Sequence, residues 1–296
     1  MRMSVLMALC LMLVFAAVAV ANHHEVDVYV HGASLDLEPP AMVQNGQVYL
    51  PVRAVAEAVG AEVTYFANRD AVVVCSEDRC TDMPREESIK IDMRLLVPME
   101  ALDEALDVDI DWHPEERIVA LRTGAVGMVA HPIVLAGVDG PYERTTWDDK
   151  EAVVVAFWAN HCPTVVRYED RMIELVNDYE PRGVEFVAVG SNCAEQYPAD
   201  NFERMKERAE EKGYNFAYVR DETQEVARAY GAERTPDIFV VNPEGFVVYR
   251  GPIEDSEHVD RVERKHLREA LDEMLAGEPI SMANIAPHGC TVKWIR

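Results

Sequence analysis

The distribution of apolar residues divides the chain into three stretches. Residues 5–20 are apolar apart from a few small residues. The next hundred residues contain short helical patterns flanked by alternating strand patterns. From about Trp147, continuous apolar runs of strand length alternate with helical patterns, which is typical of an α/β fold. We therefore expect a small α+β domain followed by a larger α/β domain.

The first residues have the pattern of a secretory signal. Arg2 precedes the apolar run, and Ala19-Val20-Ala21 has the small-x-small form of a cleavage site. The run of about 16 residues is shorter than the ~20 that a spanning helix needs. We expect residues 1–21 to be removed and the protein to be exported, periplasmic or extracellular, without membrane insertion.

Cleavage after Ala21 would leave Asn22-His23-His24 at the new terminus. A free amine followed by His23 and His24 offers nitrogen ligands for Cu(II) or Ni(II). The alternative is a disordered terminus with two chance histidines. No other cofactor or metal site is expected.

An internal repeat occupies the stretch 22–124. Pro51, Ala54, Glu57 and Ala58 each recur as the same residue 47 positions later, and Tyr65 recurs as Trp112. In each copy a proline opens a helical pattern, and an alternating strand and a more apolar strand follow. The repeat predicts two strand–helix–hairpin units.

The stretch contains Asn45-Gly46, the run from Tyr49 to Ala61 and a strand pair after that run. On these residues it resembles the domain family named after the N-terminal region of copper amine oxidases. The resemblance implies a non-catalytic stalk or binding module, and the family name does not imply copper here. Cys75 and Cys80 flank a turn, so we expect a local disulfide in an oxidising compartment. Half of a zinc site is the alternative, although a second ligand pair is lacking.

In the region 147–296 the patterns give a strand, Cys-Pro at a helix start, a second strand, a helix, Thr-Pro before a hairpin and a last helix. This order resembles the thioredoxin-like fold, and 125–146 is expected to be a linker or the start of this domain. The matching residues are Phe157-Trp-Ala-Asn-His-Cys-Pro163, Tyr168-Glu-Asp, Asp221 to Ala227, Tyr230-Gly-Ala, Arg234-Thr-Pro236, Tyr249-Arg-Gly251 and Gly289-Cys-Thr-Val-Lys-Trp294. Together they resemble the redoxin, or peroxiredoxin-like, AhpC/TSA-type branch of that superfamily. The resemblance implies thiol–disulfide or peroxide chemistry at Cys162.

The position of Cys162 favours reactivity on physical grounds. A cysteine at a helix N-terminus faces unpaired N–H groups, which favour the thiolate. His161 can add positive charge when it is protonated. Thr235-Pro236 resembles the cis-proline element that lies against the cysteine in this fold. The alternative is a buried, inert cysteine that fills a core position.

The chain departs from both related mechanisms. Ala159 stands where many members of the branch have a further cysteine, three residues before Cys162, so a dithiol of that spacing is absent. A peroxiredoxin has threonine there and proline four residues before it, where this chain has Val155. Arg234 could supply the positive charge that peroxide reduction uses. We therefore expect Cys193 or Cys290 to resolve an oxidised Cys162, with Cys290 preferred; structural roles for both are the alternative.

Charge and these departures limit the function classes. The net charge of −25, spread over both domains, argues against nucleic acid as a partner. A salt-adapted surface and ordinary solubility both account for this acidity. We expect a thiol oxidoreductase acting on peroxide or protein thiols and disulfides, supplied by an unknown electron donor. A non-catalytic thioredoxin-fold binding protein is the alternative, because Ala159 replaces the usual cysteine, and a copper-handling protein is a third reading.

Overall fold

The computed structural model describes residues 26–76, 79–106, 108–122 and 124–295. The expected signal segment and the His23-His24 pair lie outside these residues. The strands are β1 (Asp27–Val30), β2 (Ala33–Ser34), β3 (Met42–Gln44), β4 (Gln47–Pro51), β5 (Glu62–Phe66), β6 (Ala71–Cys75), β7 (Cys80–Asp82), β8 (Ile89–Ile91), β9 (Arg94–Pro98), β10 (Asp109–His113), β11 (Ile118–Arg122), β12 (Ile133–Gly137), β13 (Gly140–Arg144), β14 (Ala152–Trp158), β15 (Val184–Gly190), β16 (Ala217–Arg220), β17 (Arg234–Thr235), β18 (Asp237–Val241), β19 (Val247–Gly251) and β20 (Cys290–Thr291).

The two α-helices of the N-terminal part have seven residues each, and those of the C-terminal part range from six to 17 residues. The α-helices are α1 (Val52–Ala58), α2 (Met99–Ala105), α3 (Pro163–Tyr179), α4 (Phe202–Lys212), α5 (Glu225–Tyr230) and α6 (His266–Leu275). Single 3₁₀ turns occur at Glu180–Arg182, Pro198–Asp200 and Val259–Arg261. None of the helices in the described part of the chain is both long and apolar enough to cross a membrane.

The N-terminal part is built from the two repeat units. The strands that precede the two helices, β4 and β9, pair antiparallel at the centre of a four-stranded sheet. Each helix then leads into a hairpin, β5–β6 in the first unit and β10–β11 in the second. The helices bury Val55 and Leu102 in one shared apolar core. The predicted pair of strand–helix–hairpin units is confirmed.

A disulfide joins the hairpin of the first unit to the strand that follows. Cys75 ends β6 and Cys80 begins β7, and the two residues face each other in the antiparallel register. Their sulfur atoms are bonded. The bond ties the third strand of this small sheet to the hairpin.

A seven-stranded sheet forms the centre of the C-terminal part, in the order β13-β12-β16-β15-β14-β18-β19. All seven residues of β14 are buried, because helices cover both faces of the sheet. Helices α3, α4 and α6 pack against one face, and α5 packs against the other. This is the thioredoxin-like α/β arrangement that the sequence predicts.

Residues 133–144, within the segment expected as a linker or domain start, form the β12–β13 hairpin at the edge of the large sheet, so this part of the segment is the start of the domain. Asp221 lies before α5, which begins at Glu225. The Asp221 carboxylate accepts hydrogen bonds from Ser191 Oγ and from the Ala227 N–H inside the helix, both at 2.9 Å.

The two parts of the chain meet at the turn after β1. The ring of Tyr29 lies 4.3 Å from that of Phe246, centroid to centroid. The Asn242 side chain donates to the Gly32 carbonyl at 3.4 Å. This contact lies on the β18–β19 hairpin.

Candidate active site

Cys162 occupies the N-cap of α3, directly after the central strand β14. Pro163 is the first helical residue, where its missing N–H costs no hydrogen bond. The Cys162 carbonyl accepts the first helical bond, from Val166 N–H at 3.0 Å, and the Cys162 N–H reaches the Ala159 carbonyl at 3.3 Å. The side chain is fully buried, with 0% of its surface exposed. The sequence therefore brings this thiol to the positive end of a 17-residue helix.

The Thr235–Pro236 segment lies against this cysteine. The peptide bond between the two residues is cis. Cys162 Sγ donates to the Thr235 carbonyl oxygen at 3.0 Å. Thr235 and Pro236 are buried, so the segment forms a wall of the site.

Cys290 completes the site from the C-terminal tail. The two-residue strand β20 pairs antiparallel with β17, and Cys290 stands opposite Thr235 in the register. Arg234 donates to the Gly289 carbonyl at 3.1 Å, just before the cysteine. The Cys290 side chain packs against the core cluster that contains Cys162. The structure thus brings together two cysteines that are far apart in the sequence.

The two thiols differ in acidity. Burial alone would raise the pKa of Cys162, but interactions with the Cys290 thiol, the Val165 N–H and Thr235 outweigh it and lower the pKa. Burial and the interaction with Cys162 raise the pKa of Cys290 to about 11. Cys162 is therefore the thiol that ionises first. Cys290 stays protonated and donates a hydrogen bond to the Cys162 sulfur.

His161 forms hydrogen bonds with the Asp200 side chain. Its Nδ1 pairs with the Asp200 carboxylate, and its N–H donates to the same side chain at 3.2 Å. Its ring stacks on Tyr197 at 4.6 Å. The influences on the Cys162 pKa are, largest first, burial, which raises it, and then Cys290, Val165 and Thr235, which lower it. Asp200, which is itself buried, had no signal in the sequence, because nothing in its local pattern points to a residue 39 positions away.

Cys193 lies in the loop after β15 and contacts the tail through its backbone. Its N–H donates to the Lys293 carbonyl at 2.8 Å, and its sulfur accepts from the Gln196 side chain at 3.5 Å. The side chain is buried. The structure thus places Cys290, and not Cys193, beside Cys162.

Further polar residues hold the tail in place, and sequence reasoning missed all of them. The Asn192 side chain accepts from the Lys293 N–H at 2.7 Å. Gln224 donates to the Lys293 carbonyl at 2.9 Å and accepts from the Ile295 N–H at 2.8 Å. Both side chains are buried, so these bonds are shielded from water.

Three positions border Cys162 closely enough to carry a partner thiol. Ala159 is linked to it by a turn, Val165 lies one helical turn further on, and Cys290 lies across the site. Ala159 is buried. Of the three positions, only the one in the tail holds a cysteine.

The described residues contain no group of three or more His, Cys, Asp or Glu side chains arranged to hold a metal ion. The site itself contains two sulfurs, those of Cys162 and Cys290. A thiolate at a helix N-terminus beside a second thiol can exchange disulfides or react with peroxide.

This fold and this site define a thioredoxin-like thiol oxidoreductase domain. Residues 130–250 match the AhpC/TSA family, and residues 29–88 match the copper amine oxidase N-terminal domain. The chain belongs to the AhpC/TSA family, with a copper amine oxidase N-terminal-like domain before the thioredoxin fold. Both resemblances drawn from the sequence are confirmed.

Known relatives cover the C-terminal part. A thiol-disulfide oxidoreductase, ResA, from Geobacillus thermodenitrificans (strain NG80-2) is 34% identical over 123 residues, which are 42% of this chain and 67% of that protein. The crystal structure of an uncharacterised conserved protein from Geobacillus kaustophilus is 42% identical, with a TM-score of 0.54 over 57% of this chain and 91% of that one. A hypothetical protein from Sinorhizobium meliloti 1021 is 32% identical, with a TM-score of 0.55 over 59% of this chain and 97% of that one.

Proposed function

We propose that the protein is an exported thiol oxidoreductase that exchanges disulfides with protein thiols through Cys162 and Cys290. The observation that carries the proposal is the register of β17 and β20, which sets Cys290 opposite Thr235 and beside Cys162. The similarity to a thiol-disulfide oxidoreductase supports the same reaction class. The residues assigned to the site are Cys162 and Cys290 as the redox pair, and Thr235 and Pro236 as its wall.

The reaction is a two-electron exchange. In the oxidised form Cys162 and Cys290 share a disulfide, and a partner dithiol gives it two electrons and two protons and leaves as a disulfide. The reverse reaction reduces a partner disulfide. The lowered pKa of Cys162 supports this role, because the thiolate is the form that takes part in exchange.

Peroxide is a second candidate oxidant. A peroxide would oxidise the Cys162 thiolate to sulfenic acid, and the Cys290 thiol would then displace water to give the same disulfide. We rank this below disulfide exchange for two reasons. Ala159 offers no hydroxyl to orient a peroxide, and Cys162 is fully buried.

Redox titration with disulfide mapping tests the pair. Reduced protein is equilibrated with mixtures of reduced and oxidised glutathione, acid-quenched and digested. We expect one intramolecular disulfide, Cys162–Cys290, which is lost in Cys162→Ser and in Cys290→Ser and retained in the control Cys193→Ser. A Cys162–Cys193 bond, or no bond at all, would contradict the assignment. An apparent Cys162 pKa near that of a free thiol, ~8.5, would favour the non-catalytic binding protein instead.

The proposal also includes export of the two-domain protein after removal of its signal segment. We propose removal of residues 1–21, which leaves the module 22–124 joined to the redoxin domain. The Cys75–Cys80 disulfide supports an oxidising compartment. N-terminal sequencing of protein recovered outside the cytoplasm tests this. Asn22 is the expected first residue, and Met1 would refute the prediction.

A further inference from the structure

The two sulfurs of the proposed pair differ in their access to a partner. Cys162 has no exposed surface, whereas Cys290 is half-buried and lies in the C-terminal tail. A nucleophile must approach a disulfide sulfur directly, so exposure decides which of the two can be attacked.

The backbone edge beside the cis-proline is already occupied. β20 pairs with β17, and Cys162 Sγ donates a hydrogen bond to the Thr235 carbonyl. A Cβ atom on Gly289 would lie 2.3 Å from that carbonyl oxygen, which shows how closely the tail backbone approaches the edge. A partner strand therefore has no room at Arg234–Thr235.

The tail is anchored on both sides of Cys290. Before it, the Ile285 N–H donates to the Arg250 carbonyl and the Arg250 N–H donates to the Ala283 carbonyl, both at 2.8 Å. After it, the Val292 N–H donates to the Glu233 carbonyl at 3.0 Å, and the Val292 side chain is buried. Exposing Cys162 would break these bonds and uncover this apolar contact.

We propose that partner thiols exchange with this protein at Cys290, and that Cys162, the helix N-cap cysteine, is the internal sulfur that never meets the partner. The assignment rests on the proposed function and adds the order of the steps. A partner thiolate attacks Cys290 Sγ, a partner–Cys290 disulfide forms, and the Cys162–Cys290 bond breaks with its electron pair on Cys162. A second partner thiolate attacks the partner sulfur and releases Cys290, so the partner loses two electrons and the pair gains them.

The acidity of the two thiols supports this order. The sulfur with the lower pKa leaves faster in thiol–disulfide exchange. Cys162, whose pKa is lowered, is the better leaving group, while attack on Cys162 would expel Cys290, whose pKa is raised to about 11. Exposure and leaving-group quality thus both favour Cys290 as the sulfur that the partner attacks.

A rapid-quench experiment on the full chain without its signal identifies the attacked sulfur. The disulfide form is prepared with oxidised glutathione, mixed with reduced glutathione, and quenched at short times with excess N-ethylmaleimide at acid pH. Peptide mapping then locates the glutathione and the maleimide. The control Cys193→Ser removes the third thiol as a source of adducts.

We expect glutathione on Cys290 and maleimide on Cys162, at least tenfold over the reverse arrangement when extrapolated to zero time. Glutathione on Cys162, or equal amounts on both, would overturn the assignment of Cys290 while leaving the proposed redox pair intact. Failure of the first step, with no Cys162–Cys290 disulfide to open, would refute the proposed function itself. The two failures are therefore distinguishable.

Discussion

Gly289 is the residue that allows Cys290 to reach Cys162, and replacing it tests the geometry of the pair. Its φ is +136°, and an added Cβ would lie 2.3 Å from the Thr235 carbonyl oxygen and 3.3 Å from the Pro236 ring. The carbonyl oxygen belongs to the backbone that carries the cis-proline, so the clash cannot be relieved by rotation of a side chain. Gly289→Ala must push the tail away from β17.

The size of the effect follows from the distances. Cβ contacts are ordinary from about 3.4 Å, so the tail must retreat by about 1 Å. A misplacement of that size costs on the order of 10²-fold in reactions that depend on oriented groups. We expect Gly289→Ala to slow formation of the Cys162–Cys290 disulfide by about that factor.

The assay measures the rate of intramolecular disulfide formation after one equivalent of oxidised glutathione, followed by mass mapping. Gly140→Ala is the matched control, because Gly140 has nearly the same φ, +133°, yet an added Cβ meets nothing within 4 Å. Both variants carry the backbone cost of a side chain at this φ, and only one carries the clash. If Gly289→Ala forms the disulfide at the rate of Gly140→Ala, the claim that the tail must sit this close is wrong.

Three further predictions concern acidity, the tail and the small disulfide. Cys290→Ala should raise the apparent pKa of Cys162, read from the pH dependence of alkylation, because the Cys290 thiol is the largest influence that lowers it; an unchanged or lower value would contradict this. Burial lowers the pKa of His288, with His266 acting in the same direction and Glu257 and Asp255 against it, so the docked tail prefers the neutral ring. Docking should therefore weaken as pH falls below ~6.5, seen as faster amide exchange at residues 286–291, and His288→Gln should abolish this pH dependence. Cys75→Ser with Cys80→Ser should lower the free energy of unfolding by about 2 kcal/mol through loss of a short loop closure and leave Cys162–Cys290 exchange at the wild-type rate.

Local periodicity was enough to predict most of the fold. The 47-residue offset predicts both helix–hairpin units, because each copy repeats the same proline, the same helical spacing and the same strand alternation. The buried strands β14 and β15 are recognisable as continuous apolar runs. The β12–β13 hairpin was missed as an element. Burial alternates along β12, but its sequence Ile-Val-Leu-Ala-Gly has no polar residue at the more exposed positions, so the residue types show no alternation.

The site was predictable only in part, because its key contacts are long-range. The sequence indicated Cys162 through Cys-Pro at a helix start, and Cys290 through a resemblance. It carried no signal that Asp200 would engage His161, or that Asn192 and Gln224 would anchor the tail. A two-residue strand such as β20 is too short to show periodicity, so its pairing with β17 depends on tertiary structure alone.

The pairing of a helix cysteine with a tail cysteine links redox state to the folding of the whole domain. A Cys-x-x-Cys disulfide closes a loop of a few residues, whereas a Cys162–Cys290 bond would close most of the C-terminal part. In the chain-entropy model the long closure constrains the unfolded chain by about 5 kcal/mol, more than twice the effect of a local one. By linkage, the folded protein favours this disulfide to the same extent that the disulfide favours the fold. The third free thiol, Cys193, contributes its backbone N–H to the tail, so the tail can stay docked while Cys162 and Cys290 change state.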